Sequence, residues 1–323
     1  MEIEYQRWLM INSILDIYPK SYEYKNIIER LFLNMSNIKN NTGFSVCKIL
    51  DIDNPIIKIA IHQSLEKKIF YTNLSATNHF KGVIKIINNF IKNKEKFNTS
   101  SIGVINKNKI QYKKFSEDFP GNRIKLLKNI LSKKGVKDKN NKISQMFLRY
   151  MSIGIRGQQW NMPFKNYKYL NDRFNIEIEG FASPINSQLI KISSDKKFCS
   201  IFYDTDKYFG SLGNFFDLDI SNKSICVNPP YMEPILIKTL DKILELVDNN
   251  VRTFTIMPYW EDSKIINIIK DHAVYYEILE NKKHYYEDSI NNKKIIAKFP
   301  SIIAVFEKEL SDDYSEIATN MKY

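Results

Sequence analysis

Cysteine, histidine and long apolar runs are what this sequence has least of. Three cysteines among 323 residues, Cys47, Cys199 and Cys226, stand far apart and form no pair with metal or redox spacing. They read as reduced thiols of an intracellular protein, with nucleus and cytoplasm unresolved. The four histidines (His62, His79, His272, His284) make no HxxxH or related cluster, so no metal site is expected. No run reaches the ~18 apolar residues of a membrane span. The opening "MEIEYQRWLMINSILDIY" lacks a basic segment followed by an apolar one and does not read as a signal peptide.

What is present is positive charge and enough apolar residues to build a core. Hydrophobic residues make up 43% of the chain and the net charge is +12. Lysine is densest at 107–114 and 133–142, which points to a polyanionic partner. Asn, Ile and Lys are all over-used, so an AT-rich coding sequence, as in a large DNA virus or another AT-rich genome, is the alternative reading of this excess.

Pattern divides the chain in three. Residues 1–142 are expected to form a mainly helical, basic domain, with helices at 26–35, 80–93 and 123–134, a short strand at 55–61 and a turn at 115–123. The polar stretch 133–142 reads as a linker. Residues 143–310 begin with a helix (143–153) and then alternate. Strands are expected near 175–182, 199–204, 224–228, 251–258, 274–279 and 300–309. A helix capped by Ser183 with Pro184 at its first position is expected after 182, and two more at 233–247 and 262–272. Strands alternating with helices predict a doubly wound α/β domain. Residues 311–323 read as a polar, peripheral tail.

In an open α/β sheet, ligands sit at the carboxyl ends of strands. One such end reads "SICVNPPYME" (224–233). Pro229 and Pro230 fix φ and remove N–H donors, which leaves a rigid turn with exposed carbonyls. The Asn228 amide oxygen and the Pro229 carbonyl are two acceptors, and Tyr231 adds a flat ring. Two acceptors beside a ring suit an exocyclic amine on a planar base. Such an amine is a poor nucleophile because its lone pair is delocalised into the ring. Acceptors that bind both its protons favour a pyramidal nitrogen and free the lone pair. At this turn the chain resembles amino-directed nucleic-acid methyltransferases. No general base is then needed before attack on a methyl sulfonium held in line.

Asp204 is read as the end of a strand about twenty residues past the first loop, where nucleotide-binding folds place a ribose-binding acid, with Asp206 as the second candidate. The first loop, "EGFASPIN", lacks a glycine-rich sequence.

"FASPIN" (181–186), "DTDKYFGSLG" (204–213), "VNPPY" (227–231) and "IMPYW" (256–260), in this order and spacing, resemble the catalytic domain of the cap-specific adenosine N6-methyltransferases, the phosphorylated-CTD-interacting-factor family. "LRYMSIGIRGQQWNMP" (148–163) resembles a segment upstream in that family. The resemblance covers roughly 145–308. It implies a Rossmann-like class I methyltransferase domain with S-adenosyl-L-methionine as cofactor. It also implies methyl transfer to N6 of the adenosine, normally 2′-O-methylated, next to the m7G cap of mRNA. Carried over by position, Asn228, Pro229, Pro230 and Tyr231 become the catalytic turn. Phe181, Ala182, Ser183, Pro184 and Asn186 become the first cofactor loop. Asp204, Asp206, Phe209, Gly210 and Ser211 become the second.

Two departures stand out. Tyr231 replaces the family's Phe, and Trp8, Trp160 and Trp260 lack the spacing of a WW module, so no link to the polymerase tail is expected. For the cap, a methylated purine cation is held between rings with an acid at its edge. Gln158, Gln159, Trp160, Tyr259, Trp260 and Glu261 are candidates. Arg149, Arg156 and the 107–114 patch are candidates for triphosphate and RNA backbone. A DNA adenine-N6 methyltransferase and a non-catalytic RNA-binding homologue are the competing readings.

Overall fold

A computed structural model describes residues 103–152 and 159–322, together with 4–6, 8, 9, 12, 13, 85, 86, 89 and 93. The predicted helix at 26–35, the strand at 55–61, Arg156 and Gln158 lie outside the described residues. Of the predicted helix at 80–93, the four described residues are helical. Two compact units divide the chain at Arg156/Gly157.

In the first unit, strands β1 (Val104–Asn106), β2 (Lys109–Tyr112) and β3 (Phe115–Asp118) form an antiparallel meander. Helices α1 (Gly121–Lys133) and α2 (Lys139–Ser152) follow it. The turn expected at 115–123 is shorter: β3 takes residues 115–118, Phe119 and Pro120 make the break, and α1 starts at Gly121. Ile110, Tyr112 and Phe115 point inward while lysines 107, 109, 113 and 114 stay in solvent, so strand alternation is present but lysine-rich. The meander's turns place lysines at left-handed positions (Lys107 φ 49°, Lys113 φ 53°), where Gly or Asn would have signalled a hairpin. The linker expected at 133–142 is only a Gly135 turn (φ 68°) and a short bend, since α2 already starts at Lys139 and runs through the expected domain boundary.

The second unit holds a six-stranded mixed sheet in the order β6-β5-β7-β8-β12-β9. Its strands are β5 (Ile178–Glu179), β6 (Lys197–Phe198), β7 (Ser224–Val227), β8 (Arg252–Pro258), β9 (Tyr275–Leu279) and β12 (Ser301–Phe306). The first four are parallel, and β12 inserts antiparallel between β8 and β9. A smaller antiparallel sheet joins β4 (Trp160–Asn161), β10 (Tyr285–Asp288) and β11 (Lys293–Ile296).

Period-two alternation sorts the strand residues onto two cores. On one side Ile225, Val227, Met257, Ile302, Ala304 and Phe306 pack with Leu236, Leu240 and Ile243 of α6 (Glu233–Asp248) and Ile265, Ile266 and Ile269 of α7 (Lys264–His272). On the other, Cys226, Phe254, Ile256, Ile303 and Val305 pack with Tyr167, Leu170 and Phe174 of α3 (Phe164–Phe174). Helices therefore cover both faces. No described helix is long and apolar enough to cross a membrane.

Three expectations need correction. The strand expected at 199–204 ends at Phe198, and Tyr203–Asp206 is a one-turn helix, α5. Its Asp-Thr-Asp sequence suits a helix start, where carboxylates meet unpaired N–H groups. The helix expected from Ser183 begins only at α4 (Leu189–Ile192). The tail is not peripheral: Tyr314, Ile317, Ala318 and Met321 are buried around α8 (Glu316–Thr319) and join the core under α3.

Candidate active site

β6 lies on one side of β5 and β7 on the other, so the chain reverses its direction of travel across the sheet at β5. The loop after β5 and the turn after β7 meet at that switch. Gly180 follows β5 and donates its N–H to the Cys226 carbonyl at 2.7 Å. A Cβ there would stand 3.0 Å from both the Phe215 ring and the Val227 side chain, so a larger residue would have to push those side chains aside.

The next residues form a closed polar turn. Ser183 N–H donates to Asn186 Oδ1 at 2.7 Å, and Asn186 N–H donates to Ser183 Oγ at 3.2 Å. This is the reciprocity of a capping box, built on a turn instead of a helix. It explains why Ser183 and Pro184 read as a helix start. The Ser183 hydroxyl also donates to Gln159 Oε1 at 2.7 Å.

Beneath the turn lies Glu179, a fully buried carboxylate that the motif reading missed. It accepts from Asn161 Nδ2 (3.1 Å), Ser187 Oγ (2.8 Å) and the Gln188 N–H (2.9 Å). Burial raises its pKa, and the bonds from the Ser187 hydroxyl and the Gln188 N–H are among the effects that act against the rise. In sequence Glu179 repeats Glu177 in a plain alternation with Ile176 and Ile178, so nothing local marks it as the buried one of the two.

The segment after β6 lies beside this loop. Ala182 N–H reaches the Cys199 carbonyl at 2.9 Å, and Ser200 N–H reaches Gly213 O at 2.7 Å. The Phe181 ring stands 4.8 Å from that of Phe215. Asp204 is half-buried on α5, not at a strand end. Asp206 is fully buried and accepts from Thr205 Oγ1 at 3.0 Å. Phe209 is fully buried, so its part is to shape the segment. Gly210 (φ 112°) takes a left-handed turn, and Ser211 bonds Ser200 Oγ at 2.8 Å.

At the end of β7 Asn228 and Tyr231 are half-buried. Asn228 Nδ2 faces the Trp160 carbonyl at 3.5 Å, which leaves Oδ1 on the opposite side of the amide. The Tyr231 ring meets those of Tyr286 (6.3 Å) and Phe299 (5.8 Å) edge-on, which holds it upright. Its hydroxyl bonds that of Tyr286 at 2.7 Å. Burial, then the Tyr286 hydroxyl, pushes the Tyr231 pKa well up, and burial pushes Tyr286 up to about 12.

The remaining candidates separate. Gln159 and Trp160 lie between the first loop and the Asn-Pro-Pro-Tyr turn, through Ser183 and Asn228 respectively. Tyr259, Trp260 and Glu261 follow β8, the strand next to β7. Trp260 and Glu261 are exposed, while Trp160 packs on the core. Arg149 is not a surface cation. It is buried in the first unit and ion-paired with the buried Glu4 at 2.5 Å, because a buried guanidinium needs a paired anion. Among the described residues, no three His, Cys, Asp or Glu side chains are grouped to hold a metal ion.

Known proteins resemble this chain over part of its length. The family model described as "Phosphorylated CTD interacting factor 1 WW domain" matches residues 126–289. A mouse protein named mRNA (2′-O-methyladenosine-N(6)-)-methyltransferase is 30% identical over 116 residues, and the human protein of that name is 29% identical over 116 residues. Each match covers 35% of this chain and 15% of the relative's length. With the family model spanning half of its residues, the chain belongs to the phosphorylated CTD interacting factor 1 family.

Proposed function

We infer that this protein is a cap-specific adenosine N6-methyltransferase, acting with S-adenosyl-L-methionine on the adenosine next to the m7G cap of mRNA. The observation that carries the reading is Asn228 and Tyr231, half-buried at the end of β7, beside the loop where the parallel strands switch direction. The parallel order β6-β5-β7-β8, with helices on both faces, supports a Rossmann-like domain. The relatives' names support the substrate class. On this reading the protein is intracellular, where capped RNA is found.

The residues present suit such a methyl donor. The close-packed Gly180 leaves backbone, not side chain, at the mouth of β5. Phe181 offers a half-buried ring, and Asp204 a half-buried carboxylate on the neighbouring segment. Phe181, Ala182 and the Ser183–Asn186 turn would line one side of the donor, and Asp204 with the Gly210 turn the other. When bound, the donor supplies an electrophilic methyl on a sulfonium. The protein's part is to receive the amine with the Asn228 and Pro229 oxygens, stack the base on Tyr231 and exclude water.

Asp204→Ala is expected to weaken donor binding about tenfold, the worth of a charge-assisted hydrogen bond, with RNA affinity little changed. Calorimetry with S-adenosyl-L-methionine measures it. Unchanged affinity would move the role to Asp206, whose carboxylate is already buried against Thr205.

Exposed lysines 107, 109, 113 and 114 on the β1–β3 meander are proposed to contribute to RNA backbone binding. Methyl transfer should be followed on m7G-capped, G-capped and triphosphate-ended RNAs of one sequence, and on duplex DNA, at two salt concentrations. The expected result is a clear preference for the m7G end with a common salt slope, because phosphate contacts release counterions and ring stacking does not. Equal rates on all three RNA ends would remove cap recognition. A preference for duplex DNA would establish the DNA adenine-N6 reading instead.

A further inference from the structure

Behind the Asn-Pro-Pro-Tyr turn runs a line of hydrogen bonds whose proton order can be worked out from one end. His284 Nδ1 lies 3.0 Å from the Glu280 carbonyl. A carbonyl oxygen only accepts, so Nδ1 carries the proton. The imidazole is fully buried. Burial holds its pKa below the ordinary value, against a smaller opposing effect of the Glu280 bond, so the ring is neutral near pH 7 and Nε2 is bare. Lys322, which bridges to His284 through the backbone, sends its ammonium to Glu277 at 2.8 Å.

Each later bond is then forced. Ser301 Oγ, 2.8 Å from Nε2, must donate to it. With its one proton engaged, Oγ accepts from the Tyr286 hydroxyl at 2.9 Å. Tyr286 has then no proton left for Tyr231, so the 2.7 Å contact between them is a bond from Tyr231 to Tyr286. The Tyr231 oxygen also stands 3.5 Å from Asn228 Oδ1, the oxygen proposed to receive the substrate amine. A proton pointed there would occupy that acceptor.

We propose that His284, Ser301 and Tyr286 are positioning residues, a relay that turns the Tyr231 hydroxyl proton away from Asn228 Oδ1 and keeps that oxygen open for the target amine. None of the three touches the reacting atoms. The idea rests on the methyltransferase reading only for what Asn228 receives; the proton order stands on the hydrogen bonds themselves.

The relay can be cut at two depths. Tyr286→Phe removes the acceptor of the Tyr231 proton. Ser301→Ala removes the acceptor of the Tyr286 proton, so Tyr286 turns to Tyr231 and Tyr231 to Asn228. Each is expected to lower kcat about tenfold, less than outright loss of an electrostatic contact, with KM for RNA changed less than about threefold. The decisive arm adds Tyr231→Phe to each, which deletes the misdirected proton. Both double variants are expected to regain at least about threefold in kcat over their single parents, within the range of one such hydrogen bond. A purely structural role would make the doubles as slow as the singles or slower, and that result overturns the relay, as do singles that do not slow. Thermal unfolding of every variant identifies a drop in kcat that comes from lost folded protein. Nitrogen-15 NMR of His284 in the wild type is the arm that needs no activity. It should show a protonated Nδ1 and an accepting Nε2, and the opposite tautomer or an imidazolium at pH 7.5 overturns the proton order. A wild type that methylates no adenosine, yet shows this tautomer, sinks the proposed function and leaves the relay's geometry standing.

Discussion

Asn228→Ala is expected to lower methyl transfer by at least a hundredfold while the protein stays folded and still binds S-adenosyl-L-methionine. The side chain's contacts within the protein are long, 3.5 Å from Nδ2 to the Trp160 carbonyl and 3.5 Å from Tyr231 to Oδ1, so little folding stability depends on it. What it offers is an acceptor held at the end of a rigid strand by Pro229 and Pro230. An acceptor whose bond strengthens toward the transition state contributes on the order of 3 kcal/mol to the barrier. The loss should therefore appear in kcat, with donor affinity by calorimetry close to wild type. Retention of more than a tenth of the rate would contradict the role. The variant also separates the enzyme reading from that of a non-catalytic homologue, since a binding protein would lose nothing measurable.

Tyr231→Ala carries the second large effect, and it has two parts. The ring packs edge-on against Tyr286 and Phe299, so its removal opens a cavity and costs about 2–4 kcal/mol of stability. On the proposed function it also removes the surface on which the adenine stacks, worth about 1–3 kcal/mol. Urea unfolding measures the first part, and kcat/KM at a temperature where the variant is folded measures the second. Tyr231→Phe keeps the ring and should lose far less on both. If the Phe variant falls as far as the Ala variant, the hydroxyl and not the ring is the working group, and the stacking role is wrong.

Much of the second unit was legible because its elements are locally self-consistent. Leu236, Leu240, Ile243, Leu244 and Val247 are spaced for one helical face and all pack on the core under α6, and α7 forms within the stretch 262–272 expected for it, its start fixed by Ser263 Oγ accepting from Ile265 N–H at 3.4 Å. Strands β7, β8, β9 and β12 are apolar or β-branched segments between turn signals, and each forms within the stretch expected for it. The Asn-Pro-Pro-Tyr turn was readable for the same reason: two prolines after a buried strand have few conformations, and the side chains beside them have few uses.

Tertiary structure decided the rest. Helical and extended geometry compete closely in short segments, so whether Ser183 begins a helix depends on Asn186 closing the turn and on Gln159, 24 residues away, taking the Ser183 proton. Arg149 looks like a phosphate ligand in a basic sequence, and only packing could show it paired with Glu4 across 145 residues. The tail is polar by count, yet Tyr314, Ile317 and Met321 pack into the same core as Tyr167, Leu170 and Phe174 of α3. The relay behind Tyr231 joins His284 just ahead of β10, Tyr286 in β10, Ser301 in β12 and the turn after β7, which share no local pattern. Backbone preference is a near-neighbour property that a sequence displays directly. The direction of a proton is a property of a closed set of partners, and only the folded chain brings those partners together.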